Sequence, residues 1–191
     1  MTKYILHGGY TRRENELNKT FFKELLRDVP DGGNVLLVYF ASETHDGAIK
    51  SFENLKQKLP EHAEGKNLNY VFATKENFLE EFDKANVVFF NGGTTNPLLE
   101  TIRAFPDLRS GVGAKTVAGS SAGAYMLARY GTSHSEVHMR EGIGFVPLKV
   151  ICHYESPDLP PSATSVKELM EVAPDLELVR LKDCEWKVFN F

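Results

Sequence analysis

Short apolar runs alternate along this chain with longer stretches whose apolar residues recur at helical spacing. Tyr4 to Leu6 reads as a strand ending at His7-Gly8-Gly9. Glu14 to Val29 places Leu17, Phe21, Phe22, Leu25 and Leu26 on a helical stripe, and Pro30-Asp31-Gly32-Gly33 stops it. Val35 to Ala41 is almost continuously apolar, the pattern of a strand buried on both faces. Ile49, Phe52, Leu55 and Leu59 mark the next helix, Tyr70 to Ala73 a third strand, and Phe78 to Phe82 a short helix. Val87 to Phe90 is a fourth strand ending at Asn91-Gly92-Gly93, followed by a helix over Pro97 to Phe105. Thr116 to Ala118 is a fifth strand, and Ala122 to Tyr130, closed by Gly131, reads as a helix. Strands and helices in this alternation predict an α/β fold with a mainly parallel sheet covered by helices on both faces.

The rhythm changes after Gly131. Thr132 to Gly144 is polar and without period; Leu148 to Cys152 is a strand that delivers His153; Val166 to Val172 is a helix before Pro174. Leu176 to Leu181 and Trp186 to Phe189 read as a terminal pair of strands. No repeat, low-complexity tract or linker interrupts the pattern, so one domain is expected over residues 1–191. Ligands of open α/β sheets bind beyond the carboxyl ends of the strands. Gly8-Gly9, Gly92-Gly93, Ser121 and His153 all follow strands, so they are expected to converge.

Composition narrows the function classes. Of the 191 residues, 42% are hydrophobic and 25% charged, as in ordinary globular proteins. A net charge of −4 without a Lys/Arg cluster argues against nucleic acid as partner. No apolar run is long enough to span a membrane, and Met1-Thr2-Lys3 leads straight into a strand, so neither a membrane segment nor a signal peptide is expected. Two cysteines are too few for a disulfide scaffold, which suits a reducing, cytoplasmic setting.

Candidate chemistry centres on Ser121. Gly119-Ser120-Ser121-Ala122-Gly123 is a G-x-S-x-G pattern between a strand and a helix, the context of a nucleophile elbow. The same small residues would also let strand and helix pack closely, so the pattern has a structural reading beside the chemical one. A serine needs a base. Of six histidines, His153 is the first candidate because it too ends a strand; His7 is the second; His45 and His62 flank a helix and are expected to face solvent. For the acid that orients the base, Asp183 and Glu136 compete, with Glu155 and Asp158 close behind His153. Oxyanion donors are expected from the N–H of Ala122 and from Gly92 or Gly93. His134, Glu136 and His138 form H-x-E-x-H, which lacks the zinc-peptidase spacing, so neither metal nor cofactor is expected. Cys152 points away from His153 along the strand and is expected in the core.

Several of these segments, in this order, resemble the dipeptidase E family of serine peptidases, related to cyanophycinases. They are Val88-Phe89-Phe90-Asn91-Gly92-Gly93-Thr94-Thr95-Asn96, Gly119-Ser120-Ser121-Ala122-Gly123-Ala124, Gly142-Ile143-Gly144-Phe145-Val146-Pro147-Leu148 followed by His153, and Glu168 to Leu176. The resemblance implies a fold similar to class I glutamine amidotransferases and a Ser-His-Glu triad. Ser121 and His153 carry over directly. The family glutamate falls on Asp183, one methylene shorter, while Glu136 keeps the spacing of an acid also proposed in the family. The implied activity is hydrolysis of short peptides by a monomer or small homo-oligomer. Another serine acyl or amide hydrolase, or a silent binding protein on the same scaffold, are the alternatives. The arginine with which enteric members pair a substrate aspartate has no counterpart in Asp158-Leu159-Pro160-Pro161-Ser162-Ala163, so Asp-X peptides are expected to be poor substrates; Arg129, Arg140 and Lys167 are the nearest cations in sequence.

Overall fold

The computed structural model describes residues 1–132 and 137–191. Among the described residues, ten strands form two sheets. In the first sheet, β1 (Lys3–His7), β2 (Asn34–Val38), β3 (Asn69–Phe72), β4 (Val87–Phe90) and β5 (Thr116–Ser120) run parallel in the order β1-β5-β4-β2-β3. The helices between them are α1 (Glu16–Leu26), α2 (His45–Lys58), α3 (Phe78–Lys84) and α4 (Thr95–Arg103). After β5 come α5 (Ala122–Leu127), β6 (Ala128–Gly131), β7 (Arg140–Glu141), β8 (Val146–Ile151), α6 (Ala163–Glu171), β9 (Leu178–Arg180) and β10 (Trp186–Asn190).

The apolar strands are buried on both faces. Ile5, Leu37, Phe89 and Ala118 pack against Phe21, Phe22 and Leu25 of α1 and Phe52 of α2. Leu6, Leu36, Val88, Phe90 and Val117 face the other way, toward Phe78, Leu98, Met126 and the second sheet. Three of the helices begin where a polar side chain takes an orphan amide: Asn15 accepts from the Asn18 N–H, Thr44 from that of Gly47 and Ser162 from that of Ser165.

Three expectations need correction. The helix after Ser121 stops at Leu127, and residues 128–131 are a strand, parallel to β8 and antiparallel to β7. Ala122 to Ala128 is buried all round and carries no period that marks where the helix gives way to the strand. The last two strands do not pair with each other. β9 lies beside β8 in the second sheet, order β7-β6-β8-β9, whereas β10 is the antiparallel edge strand on β1. His62 is buried and stacks on Phe22, its Nε2 without a hydrogen bond among the described residues.

The two sheets are stitched where β1 ends. The His153 N–H donates to the Gly8 carbonyl (3.1 Å), Cys184 to Gly9 (3.0 Å) and Gly8 to Glu185 (2.8 Å). Among the described residues, no helix is long and apolar enough to cross a membrane.

Candidate active site

Ser121 sits between β5 and α5 with φ 49° and ψ −109°, a conformation that costs a non-glycine residue of order 1–3 kcal/mol. The surroundings impose it. A Cβ on Gly119 would lie inside 3.0 Å of the Gly123 backbone, and one on Gly123 inside 3.0 Å of the Phe90 carbonyl. The two glycines therefore let α5 press onto β5 and β4, and this close packing drives the chain through the sharp bend at Ser121. The packing and elbow readings of G-x-S-x-G are one device.

His153 arrives from the second sheet, just past β8, also at positive φ (54°). Its Nε2 lies 3.1 Å from Ser121 Oγ, and its Nδ1 lies 2.8 Å from Asp183 Oδ1. An ionised carboxylate only accepts, so the proton sits on Nδ1 and leaves the Nε2 lone pair facing the Ser121 hydroxyl. Asp183 lies in the connection between β9 and β10 and is further held by Ser156 Oγ (2.9 Å) and Arg13 (3.2 Å), both on Oδ2. Gly9, with φ 113°, gives the imidazole room, since a Cβ there would overlap the ring. Tyr10 meets the ring edge-on at 5.1 Å.

The competing candidates fall elsewhere. His7 is fully buried; its Nδ1 accepts from the Gly9 N–H (3.0 Å) and faces Ser120 Oγ (3.3 Å), while its Nε2 donates to Asn18 Oδ1 (2.9 Å). Burial pulls its pKa down to about 4, so the ring is neutral. Asp158 pairs with Arg13 and Glu155 with Lys182, both near the surface. His134 and Glu136 lie outside the described residues; His138 pairs with Glu168 at 2.6 Å. Cys152 is fully buried, and burial pushes its thiol pKa up, away from nucleophilic use.

Ser121 and His153 open onto a cleft of about 520 Å³, lined also by Tyr10, Arg12, Gly93 and Leu159. The loops after β1, β2, β4 and β5 all contribute, as the topology of an open parallel sheet dictates. Ala122 is the first residue of α5, so its N–H has no acceptor inside the helix. Gly92 donates its N–H to Asn91 Oδ1 (2.9 Å), and Gly93, at φ 148°, lines the cleft. A Cβ on Gly93 would run into the Ala41 carbonyl.

Sequence reading missed Tyr10, Arg12 and Arg13. They follow Gly8-Gly9 at the end of β1, and that position was the available signal. Arg12 reaches the cleft with its guanidinium on Ser51 Oγ (2.6 Å), whereas Arg129 borders a different cavity.

Comparison with known proteins follows the same line. The model of peptidase family S51 matches residues 4–189. No curated protein matches the chain. Among solved structures, a peptidase from an acI-B1 actinobacterium superposes with a TM-score of 0.72 at 21% identity, over 100% of this chain and 84% of that one. A putative peptidase E protein from Listeria monocytogenes EGD-e superposes with a TM-score of 0.61 at 13% identity, over 99% of this chain and 97% of that one. Both likenesses are of fold.

Proposed function

The chain belongs to peptidase family S51 and is a peptidase, and from that premise we propose that it hydrolyses short peptides with Ser121 as nucleophile, His153 as base and Asp183 as the orienting acid. The observation that carries this reading is the unbroken line Ser121 Oγ, His153, Asp183, with contacts of 3.1 and 2.8 Å, opening on the cleft.

In the first half-reaction Ser121 Oγ bonds to the scissile carbonyl carbon and its proton passes to His153 Nε2. The carbonyl oxygen becomes an oxyanion that accepts from the N–H groups of Gly93 and Ala122. Asp183 stays ionised and stabilises the imidazolium without taking its proton. The intermediate collapses as Nε2 returns the proton to the departing amine. Water then attacks the acyl-serine by the same route and releases the acid. Short peptides suit a cleft of about 520 Å³ enclosed by loops on several sides.

The test combines a fluorophosphonate probe with a dipeptide panel. Wild-type protein should label and hydrolyse; Ser121→Ala and His153→Ala should each fold, and kcat should fall on the order of 10⁴-fold or more. Full activity in Ser121→Ala, with Ser120→Ala inactive, would move the nucleophile to Ser120 and overturn the reading.

A further inference from the structure

We propose that Arg13 is a positioning residue that ties the orienting acid, the base and one wall of the cleft into a single charged cluster; this rests on the triad reading above. The Arg13 guanidinium divides its two ends between carboxylates: Nη1 lies 3.2 Å from Asp183 Oδ2 and Nη2 lies 2.8 Å from Asp158 Oδ2. Its plane covers the Tyr10 ring at 3.6 Å, and Tyr10 presses edge-on against His153. Arg13 therefore reaches the imidazole twice, through Asp183 and through Tyr10.

Each contact has a distinct consequence. Asp183 uses Oδ1 for His153; a carboxylate with only that contact is free to rotate about its last bond. Arg13 and Ser156 both occupy Oδ2 and fix the plane of the group. The planar fork of arginine suits this role, whereas a lysine makes a point contact. The Asp158 contact acts on the cleft instead. Leu159 lines the cleft, and its N–H donates to Ser156 Oγ, so the segment from Ser156 to Leu159 folds around Asp183 with Arg13 as its outer clasp. Arg13 is 43% exposed, so solvent moderates its field, whereas Asp183 is only 13% exposed.

The charge has a readable sign. Among the described residues, Asp183 meets the His153 ring at Nδ1, Ser121 at Nε2 and Tyr10 in a T-shaped contact, the buried neutral His7 lies close on β1, and Arg12 and Glu43 line the same cleft. Glu155 and Lys182, nearby in sequence, satisfy each other at 2.6 Å. Arg13 is a cation directly behind Asp183. It opposes protonation of the imidazole, so removing it should extend the inactive, protonated form to higher pH.

The experiment compares pH profiles of kcat/KM for Arg13→Ala, Arg13→Lys and Asp158→Asn. Arg13→Ala should lose on the order of tenfold in kcat, and its acid limb should move up by about half a pH unit, the size expected of a partly screened charge a few ångströms behind the pair. Arg13→Lys keeps the charge and should restore the limb while recovering only part of kcat. Asp158→Asn breaks the clasp alone and should raise KM with the limb in place. A lower melting temperature in Arg13→Ala with kcat and the acid limb unchanged would overturn the proposal, since a merely structural arginine moves only the first. If Ser121→Ala or His153→Ala stays active, the triad reading fails and takes this proposal with it; inactive triad variants beside an unaffected Arg13→Ala separate the two failures.

Discussion

Replacing Gly9 by alanine is the sharpest perturbation that this site offers. A Cβ at Gly9 would lie inside 3.0 Å of both Cε1 and Nε2 of His153 and 3.0 Å from Nδ1. Carbon atoms rest comfortably at about 3.5–4.0 Å, so the ring has to withdraw by roughly 1 Å or more. The 3.1 Å contact from Nε2 to Ser121 Oγ then stretches to about 4 Å and ceases to be a hydrogen bond. A misplacement of that size costs on the order of 10²-fold in rate, or about 2.7 kcal/mol. The alanine also carries a backbone penalty, because φ at Gly9 is 113°. Gly32→Ala supplies the control: φ there is 76°, and a new Cβ has nothing within 4 Å. Both variants should lose some thermal stability. Only Gly9→Ala should lose hydrolysis of the dipeptide panel and slow fluorophosphonate labelling in proportion. A folded Gly9→Ala protein that labels at the wild-type rate would refute the claim that this glycine makes room for the base.

Two further outcomes follow from burial and charge. His7 is held neutral with its pKa down at about 4 against 6.5 when unfolded. Its contribution is complete above pH 6.5 and is lost as pH falls toward 4, because the unfolded chain then binds the extra proton. Urea titrations should show stability falling by about 2 kcal/mol between pH 6.5 and 5, and His7→Gln should remove most of that slope; a flat profile in the wild type would show that burial of this ring is compensated. Asp-Leu should be cleaved at least tenfold less efficiently than Ala-Leu, a difference of about 1.4 kcal/mol, for want of an arginine in the segment after His153. A preference for Asp-Leu that vanishes in Arg12→Ala would instead assign the pairing cation to Arg12 on the cleft wall.

Local signals made much of the molecule legible. Apolar runs located five parallel strands to within a few residues: β1, β2, β4 and β5 are buried on both faces, a pattern that admits little else, and the half-buried edge strand β3 keeps a shorter run. The bend at Ser121 was equally legible, because what forces it, two glycines pressed against β4 and β5, lies within five residues. Past Gly131 these signals weaken. Only Ala128 and Gly131 of residues 128–131 are buried, and pairing with β8, not an intrinsic period, makes the segment a strand. Nothing local distinguishes β9 from β10, so their separation into two sheets was invisible until the strands found their partners. The site follows the same division. Ser121 and His153 could be proposed from strand ends. The place of Asp183 beside the imidazole depends on the crossing from β9 to β10, and that of Arg13 on a contact spanning 170 residues of chain. Periodicity records which face of an element is buried, while the partners of a polar group are chosen by distances that exist only after the two sheets have met.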